Sequence, residues 1–360
     1  MRRHLLDRPA KPTVPAVVDR LCGVQAQVAS SAELAVAVRR AKPAQGLTTT
    51  ALAEKKLLKT WAMRGTLHLL TPAAAPAHLS LLASAKTWQK PVWQRTFAPL
   101  EQMEKLAAAA FDVLDGAILT REQLVDAVLE RTQDAALREH LTSGWGTLLK
   151  PLAWQGLLIN GPGDGGRVTF TRPDTYLPDW PGLPDPADAA RAVIPAYLGA
   201  YGPATMDTFN QWLIRGALKK SDLKRWSAAL VADGVLAPVE VDGEPLFALA
   251  SEVDALGSAK PFDEVRLLPA FDQYVLGPGT SDTRLIAADR RAAISKAGGW
   301  ISAVVVHRGR VAGVWETGDD VLDVTLFQEA GTVPRAEIEA EADRIGAHLG
   351  TTPKVTVTTA

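Results

Sequence analysis

The chain is poor in cysteine, in net charge and in long apolar runs, and each shortage closes off a class of protein. Cys22 is the single cysteine among 360 residues, which excludes an internal disulfide and suits a reducing compartment. No apolar run is long enough to span a bilayer, and the start Met1-Arg2-Arg3-His4 lacks the apolar core of a secretory signal. A cytoplasmic chain without a membrane partner is expected. The six histidines (4, 68, 78, 140, 307, 348) show no H-x-x-x-H spacing and there are no paired cysteines, which argues against a zinc site. There is no G-x-S-x-G elbow and no dinucleotide fingerprint. The glycine cluster Gly161-Pro162-Gly163-Asp164-Gly165-Gly166 lacks the GK[ST] of a phosphate loop and leads into a strand rather than a helix. Neither a metal nor a cofactor is expected.

What is present is an uneven distribution of charge. The net charge is −1, from 39 Lys and Arg against 40 Asp and Glu. Residues 1–100 hold 15 of the basic residues and only Asp7, Asp19, Glu33 and Glu54 among the acidic ones, a surplus of eleven positive charges. The remaining 24 basic and 36 acidic residues leave 101–360 at −12. A basic N-terminal region points to an anionic partner, with nucleic acid first in line. The hydrophobic fraction, 47%, is ample for a sizeable core, and the length fits two to four domains.

The stretch Gly23-Val24-Gln25-Ala26-Gln27 organises the N-terminal part. Upstream, Val14, Val17, Val18, Leu21 and Cys22 follow helical spacing, with Thr13 as N-cap, Pro15 near the first turn and Gly23 as the stop. Downstream, Ser30 and Glu33 have the spacing of a capping box that opens a helix reaching about Arg40. If the junction is extended, Gln25 and Gln27 project to one side, where two neutral amides can hold a water without taking its proton. The alternative is that they cap backbone groups in a turn. A third helix is expected over 50–59, followed by one strand over 60–69. In that strand Trp61, Met63, Leu67 and Leu69 line one face, and Thr60, Arg64, Thr66 and His68 the other. Arg64 and His68 are then expected on the exposed face of a wing, although a lone His68 also fits a structural role.

The pattern of helices followed by a hairpin recurs. Helices near 73–90 and 99–115 precede a helix capped by Thr120 and Gln123 and another over 143–155; strands at 157–160 and 167–170 then flank the glycine cluster. A third set places helices near 187–200, 205–213 and 221–232 before strands that meet at Asp242-Gly243, a strong two-residue turn signal. Beyond about residue 258 the texture turns to strands at 265–268, 274–276, 300–307, 310–315 and 321–327, with a helix at 335–349 and a last strand at 354–358. The fold class is therefore α+β, with three tandem winged-helix units over 1–98, 99–182 and 183–257, then a β-containing C-terminal domain over 258–360. Asp272, set in the apolar run Leu267–Tyr274, is the one carboxylate that burial can turn into a base, though an Asp there also caps turns.

Four segments together resemble one bacterial family: Leu21–Gln27, Trp61–Leu69, Leu267–Asp272 and Gly309–Trp315. It is the winged-helix family of AlkZ and YcaQ, DNA glycosylases that remove alkylated bases and unhook interstrand crosslinks. The likeness covers nearly the whole chain in the right order. Its catalytic motif is Q-x-Q in one branch and Q-x-D in the other, and Gln25-Ala26-Gln27 matches the first. The resemblance implies a monomeric, monofunctional glycosylase acting on double-stranded DNA with cationic N7- or N3-alkylated purines, and associated with the nucleoid. Its expected role is self-resistance to a DNA-alkylating natural product. Gln25 and Gln27 would hold the attacking water, with Asp272 as the alternative catalytic residue. Arg39, Arg40, Lys42, Lys55, Lys56, Lys59, Arg64 and His68 are the candidates for DNA contact, with Arg308 and Arg310 of the 308–310 hairpin. A winged-helix regulator without catalysis is the competing reading, and a decayed paralogue that only binds damage is a third.

Overall fold

The computed structural model describes residues 1–8, 11–143, 146–260, 262–318 and 321–360, and the chain divides into two compact units. One holds Met1–Thr50, Tyr197–Thr208 and Val235–Ala360; the other holds Ala51–Ala196 and Phe209–Gly234. The linear division read from the sequence follows repeats, whereas these units follow compactness and are discontinuous along the chain. The class is α+β, as expected.

The N-terminal segment carries helix α1 (Val14–Arg20), the two-residue strand β1 (Val24–Gln25), α2 (Ala29–Ala37) and α3 (Leu47–Ala53). Thr13 caps α1 as its sequence predicts, accepting from the Ala16 amide at 3.2 Å. The capping box expected at the start of α2 does not form. The helix begins at Ala29 with Val28 at the cap, which puts Ser30 and Ser31 inside the first turn. Glu33 instead reaches α3, where its carboxylate accepts from the amides of Leu47 and Thr48 and from the Thr48 hydroxyl. A carboxylate at a helix N-terminus satisfies orphan donors and complements the dipole, so α3 starts at 47 rather than 50. It also ends early: Lys55 is left-handed at φ 56°, and Lys59 lies in a strand rather than on a helix.

In the second unit, β2 (Leu58–Trp61) and β3 (Leu67–Leu70) pair antiparallel with Leu58 opposite Leu70 and Trp61 opposite Leu67. The single strand expected over 60–69 is thus a hairpin, because Arg64 and Gly65 turn the chain at φ 58° and 72°. With β4 (Leu119–Thr120), β5 (Ile159–Asn160) and β6 (Thr169–Thr171) they form an antiparallel array in the order β3-β2-β5-β6-β4. The first two expected wings therefore share one sheet within this unit. Trp61 stacks on Phe170 at 5.8 Å, and the Arg121 guanidinium lies over the Phe170 ring. The capping box at Thr120 and Gln123 forms as expected and opens the helix Arg121–Thr132. Of the helix expected over 143–155, the structure has Leu149–Trp154; residues 144 and 145 lie outside the described residues.

The rest of the first unit adds the hairpin β7 (Leu236–Val241) and β8 (Glu244–Leu249), turned at Asp242-Gly243 as the dipeptide signals. A five-stranded sheet follows, ordered β13-β12-β11-β10-β9: β9 (Arg266–Leu268), β10 (Val304–His307), β11 (Arg310–Thr317), β12 (Val321–Leu326) and β13 (Lys354–Thr359). Only β12 and β13 run parallel, and the helix Arg335–Leu349 makes the crossover that such a pair requires. Gly313 has no substitute there, since a Cβ would lie 2.3 Å from the Thr325 carbonyl oxygen. The strand expected at 274–276 is instead a helical turn, Gln273–Leu276, capped by Asp272. Leu6 and the Leu34, Ala37 and Val38 side chains pack into the same core as Val304, Val305, Ile338 and Ile345. Among the described residues no helix is long and apolar enough to cross a membrane.

Candidate active site

The Gln25–Gln27 junction is built by the way α1 ends. The Gly23 amide donates to the Val18 carbonyl and the Cys22 amide to that of Asp19, both at 2.9 Å. This is the paired closure of a left-handed helix terminus, with Cys22 at φ 51° and Gly23 at φ 96°. The Tyr201 hydroxyl donates to the Leu21 carbonyl, satisfying another acceptor at the helix end. Tyr201 is itself clamped. Its ring lies edge-on to His4 at 5.2 Å, and a Cβ on Gly277 would fall 2.0 Å from it. Tyr201 lies 180 residues from its carbonyl partner, so no local pattern announces it. Sequence reasoning missed it for that reason.

From this anchored turn the chain extends through Val24 and Gln25, and the two glutamines emerge differently. Gln25 is only 6% exposed, whereas Gln27 lies at the surface just before α2. Strand geometry ends at Gln25, so the rule that alternate residues share a side applies only where the motif begins. Cys22, three residues ahead of Gln25, offers no nucleophile, because burial pushes its thiol up to about 12.

Two other candidates are removed by burial. Arg39 and Asp272 have no exposed side-chain surface and form a two-pronged ion pair at 2.7 and 2.8 Å. Arg39 also donates to the carbonyls of His4 at 2.9 Å and Ala35 at 2.7 Å, and Asp272 accepts from the Tyr274 amide at 2.8 Å. With every guanidinium edge engaged inside the core, Arg39 does not reach a phosphate. Both oxygens of Asp272 are likewise engaged, so it anchors a turn instead of acting as a base. His68 is the third correction. It is fully buried, its Nδ1 lies 3.0 Å from the Thr66 carbonyl, and burial lowers its pKa to about 3. Alternation correctly separates the two faces of the hairpin, but Thr60 and His68 are enclosed rather than wet.

The remaining cations differ in freedom. Lys42, Lys55 and Lys56 are exposed; Lys55 lies over the Tyr176 ring at 5.4 Å, and Lys56 pairs with Glu54 at 2.8 Å. Lys59 is half-buried, and burial lowers its pKa. Arg40 is half-buried and donates to the Pro12 carbonyl, and Arg64 donates to that of Trp212 at 3.2 Å. At the β10–β11 turn, Arg308 pairs with Asp263 at 3.0 Å and Arg310 donates to the Thr283 carbonyl at 3.2 Å; both are exposed. Among the described residues no group of three His, Cys, Asp or Glu is placed to hold a metal ion.

Comparison with known proteins gives one consistent result. The family model described as DNA glycosylase AlkZ-like matches residues 18–348. A curated protein of Streptomyces sahachiroi, the interstrand DNA cross-link repair glycosylase, is 44% identical over 352 residues, covering 97% of this chain and 94% of its own. The solved structure of the Streptomyces sahachiroi DNA glycosylase AlkZ superposes with a TM-score of 0.95 at 43% identity, covering 100% of this chain and 97% of that one.

Proposed function

The chain belongs to the AlkZ-like family of DNA glycosylases, enzymes that hydrolyse N-glycosidic bonds, and from that premise we propose how it acts and on what. The substrate is double-stranded DNA carrying a purine made cationic by alkylation at N7 or N3. Alkylation weakens the glycosidic bond, because the base leaves as a neutral molecule. Water forms a bond to C1′ as the bond to N9 breaks; the departing electron pair quenches the charge on the base, and the water loses its proton to solvent. Little acid or base catalysis is then required. The enzyme has to place the water and stabilise an oxocarbenium-like centre. Two amides can do this, since each carbonyl oxygen accepts from the water and neither competes for its proton.

The observation that carries this reading is the junction itself: a Q-x-Q segment leaving a tied-down helix end, with Gln25 enclosed and Gln27 at the surface. Crosslinks formed through alkylated purines are broken at the same bond. Crosslink repair, the activity in the relative's name, is therefore part of this proposal, as is self-resistance to an alkylating natural product. The scaffold is read as three winged helices over 1–98, 99–182 and 183–257 with a mixed region over 258–360, supported by the hairpins at 58–70, 159–171 and 236–249. Lys42, Lys55, Lys56, Arg308 and Arg310 are the cations best placed by exposure to meet phosphates, with Arg40, Lys59 and Arg64 in support. The protein acts as a cytoplasmic, nucleoid-associated monomer.

The test is release of 7-methylguanine from methylated duplex under single turnover. Gln25→Ala and Gln27→Ala are each expected to slow it by roughly 10²-fold, the scale of a lost positioning or electrostatic group. The double variant should fall short of the product of the two effects, because one water is shared. Sequence-specific binding without any base release would replace this reading with that of a regulator.

A further inference from the structure

Resting on the glycosylase reading above, we propose that a cavity of about 440 Å³ beside the start of α2 receives the cationic alkylated base, with Trp300 and Glu316 as the residues that select it. The cavity is lined by Ser30, Ser31, Leu34, Trp300, Trp315 and Glu316 among others, and its size falls within the roughly 300–1,000 Å³ of small-molecule sites. Its first lining residue lies close in sequence to the candidate catalytic segment. Ser30 is three residues beyond Gln27, a span of at most about 11 Å even for fully extended chain.

Its walls are prearranged. Trp300 is 44% exposed, an unusual state for the largest apolar side chain, and it is held by its backbone. The Lys296 amide donates to the Trp300 carbonyl at 2.9 Å, after a turn through Gly298 and Gly299 at φ 71° and 79°. Phe271, itself at a left-handed φ of 61°, lies edge-on to the indole at 4.9 Å and 75°. At the back, Trp315 is 4% exposed and fixed by its indole N–H on the Leu268 carbonyl at 2.9 Å. The chemistry on offer is an aromatic face, an exposed carboxylate and the hydroxyls of three serines and Thr317. That set discriminates by charge. A cation over an indole gains from the ring quadrupole, and Glu316 adds a formal negative charge that a neutral base does not exploit. Lys296 lies 3.5 Å from Glu316, but this pair is solvent-exposed and weak enough to exchange for a bound cation. Trp300 and Glu316 thus provide a reason for the enzyme to hold an alkylated purine and pass over an ordinary one.

The experiment titrates the full-length chain with 7-methylguanosine, which carries the charge, and with guanosine, which does not. The wild type should bind the cation roughly tenfold more tightly or better. Glu316→Gln, which keeps the shape, should reduce that preference to about twofold, and Trp300→Ala should weaken both nucleosides. Equal affinities in the wild type, no saturable binding of 7-methylguanosine at millimolar concentration, or a preference untouched by Glu316→Gln would each overturn the proposal. Single-turnover release of 7-methylguanine provides the second arm. Glu316→Gln should slow it roughly tenfold while affinity for undamaged duplex holds. Wild-type release with an unimpaired Glu316→Gln variant overturns the pocket and leaves the glycosylase reading standing. A wild type that releases no base overturns the glycosylase reading instead, and the nucleoside titration still decides the pocket.

Discussion

Gln25 and Gln27 stand where the backbone is tied down and one side chain is left at the surface, whereas Arg39 and Asp272 are tied down through the side chains themselves. Both constellations lie in one compact unit, and both combine polar groups with apolar surroundings. At the junction, the hydrogen bonds of Gly23, Cys22 and Tyr201 satisfy the end of α1, so the side chains beyond it are not needed to close the helix. At the ion pair, the guanidinium and the carboxylate bond each other, two carbonyls and one amide, and neither side chain has exposed surface to offer a ligand. A charged pair sealed in a core is closed to solvent, whereas the neutral pair at the anchored turn has one member, Gln27, at the surface.

The sharpest way to break this contrast is to cut the ion pair. Arg39→Met or Asp272→Asn leaves a buried charge without its partner and should cost about 3–5 kcal/mol, read from denaturant unfolding of the purified variants. A loss under about 1 kcal/mol would show that the pair is not structural. If Asp272→Asn folds well and abolishes excision while Gln25→Ala stays near wild type, the two roles are exchanged.

The glutamines should separate from each other next. Gln25 is enclosed, so Gln25→Ala removes a buried polar side chain and should cost about 1–3 kcal/mol of stability. Gln27→Ala, at the surface, should stay within about 0.5 kcal/mol while slowing base release comparably. Thermal melts that shift equally for both would blur the distinction between enclosed and exposed members of the motif.

His68 extends the contrast to pH. Its folded pKa of about 3 lies below the ordinary histidine value of 6.5, so below pH 6.5 the unfolded chain takes up a proton that the folded chain refuses. Stability from this site is full above pH 6.5, is lost as pH falls toward about 3, and changes no further below that. Between pH 6.5 and 5 the loss should be about 2 kcal/mol. A His68→Gln variant should show a decline shallower by that amount, and identical pH profiles would mean that the imidazole is not sealed.

The smallest effect should come from the exposed lysines. Lys55→Glu and Lys56→Glu should leave the melt nearly unchanged but reduce the salt dependence of duplex binding by about one phosphate's worth each, similarly on unrelated sequences. An effect confined to one sequence would favour base reading over backbone contact.

Much of the fold was legible because its signals are local. Thr13 capping α1, the Thr120–Gln123 box, the Asp242-Gly243 turn and the helix Arg335–Leu349 each depend on residues within a few positions of one another. Glu33 shows where this stops. Its spacing from Ser30 fits a capping box, yet the carboxylate closes a different helix fourteen and fifteen residues away. The run from Thr60 to Leu69 has the pattern of one strand because its apolar spacing survives the turn at Arg64 and Gly65. Periodicity reports which residues alternate and carries no record of where the chain reverses.

By itself the sequence determined the α+β class, the Asp242-Gly243 hairpin, the Q-x-Q motif and the basic bias of the first hundred residues, since all of these are sums over neighbouring positions. Only the tertiary structure decided which polar residues are sealed. Arg39 meets Asp272 across 233 positions, Tyr201 meets the Leu21 carbonyl across 180, and His68 is enclosed by the fold around its hairpin. Burial depends on what long-range packing brings against a side chain, and no local pattern holds that information. The same arginine or histidine therefore reads as a DNA contact in the sequence and as part of the core in the folded chain.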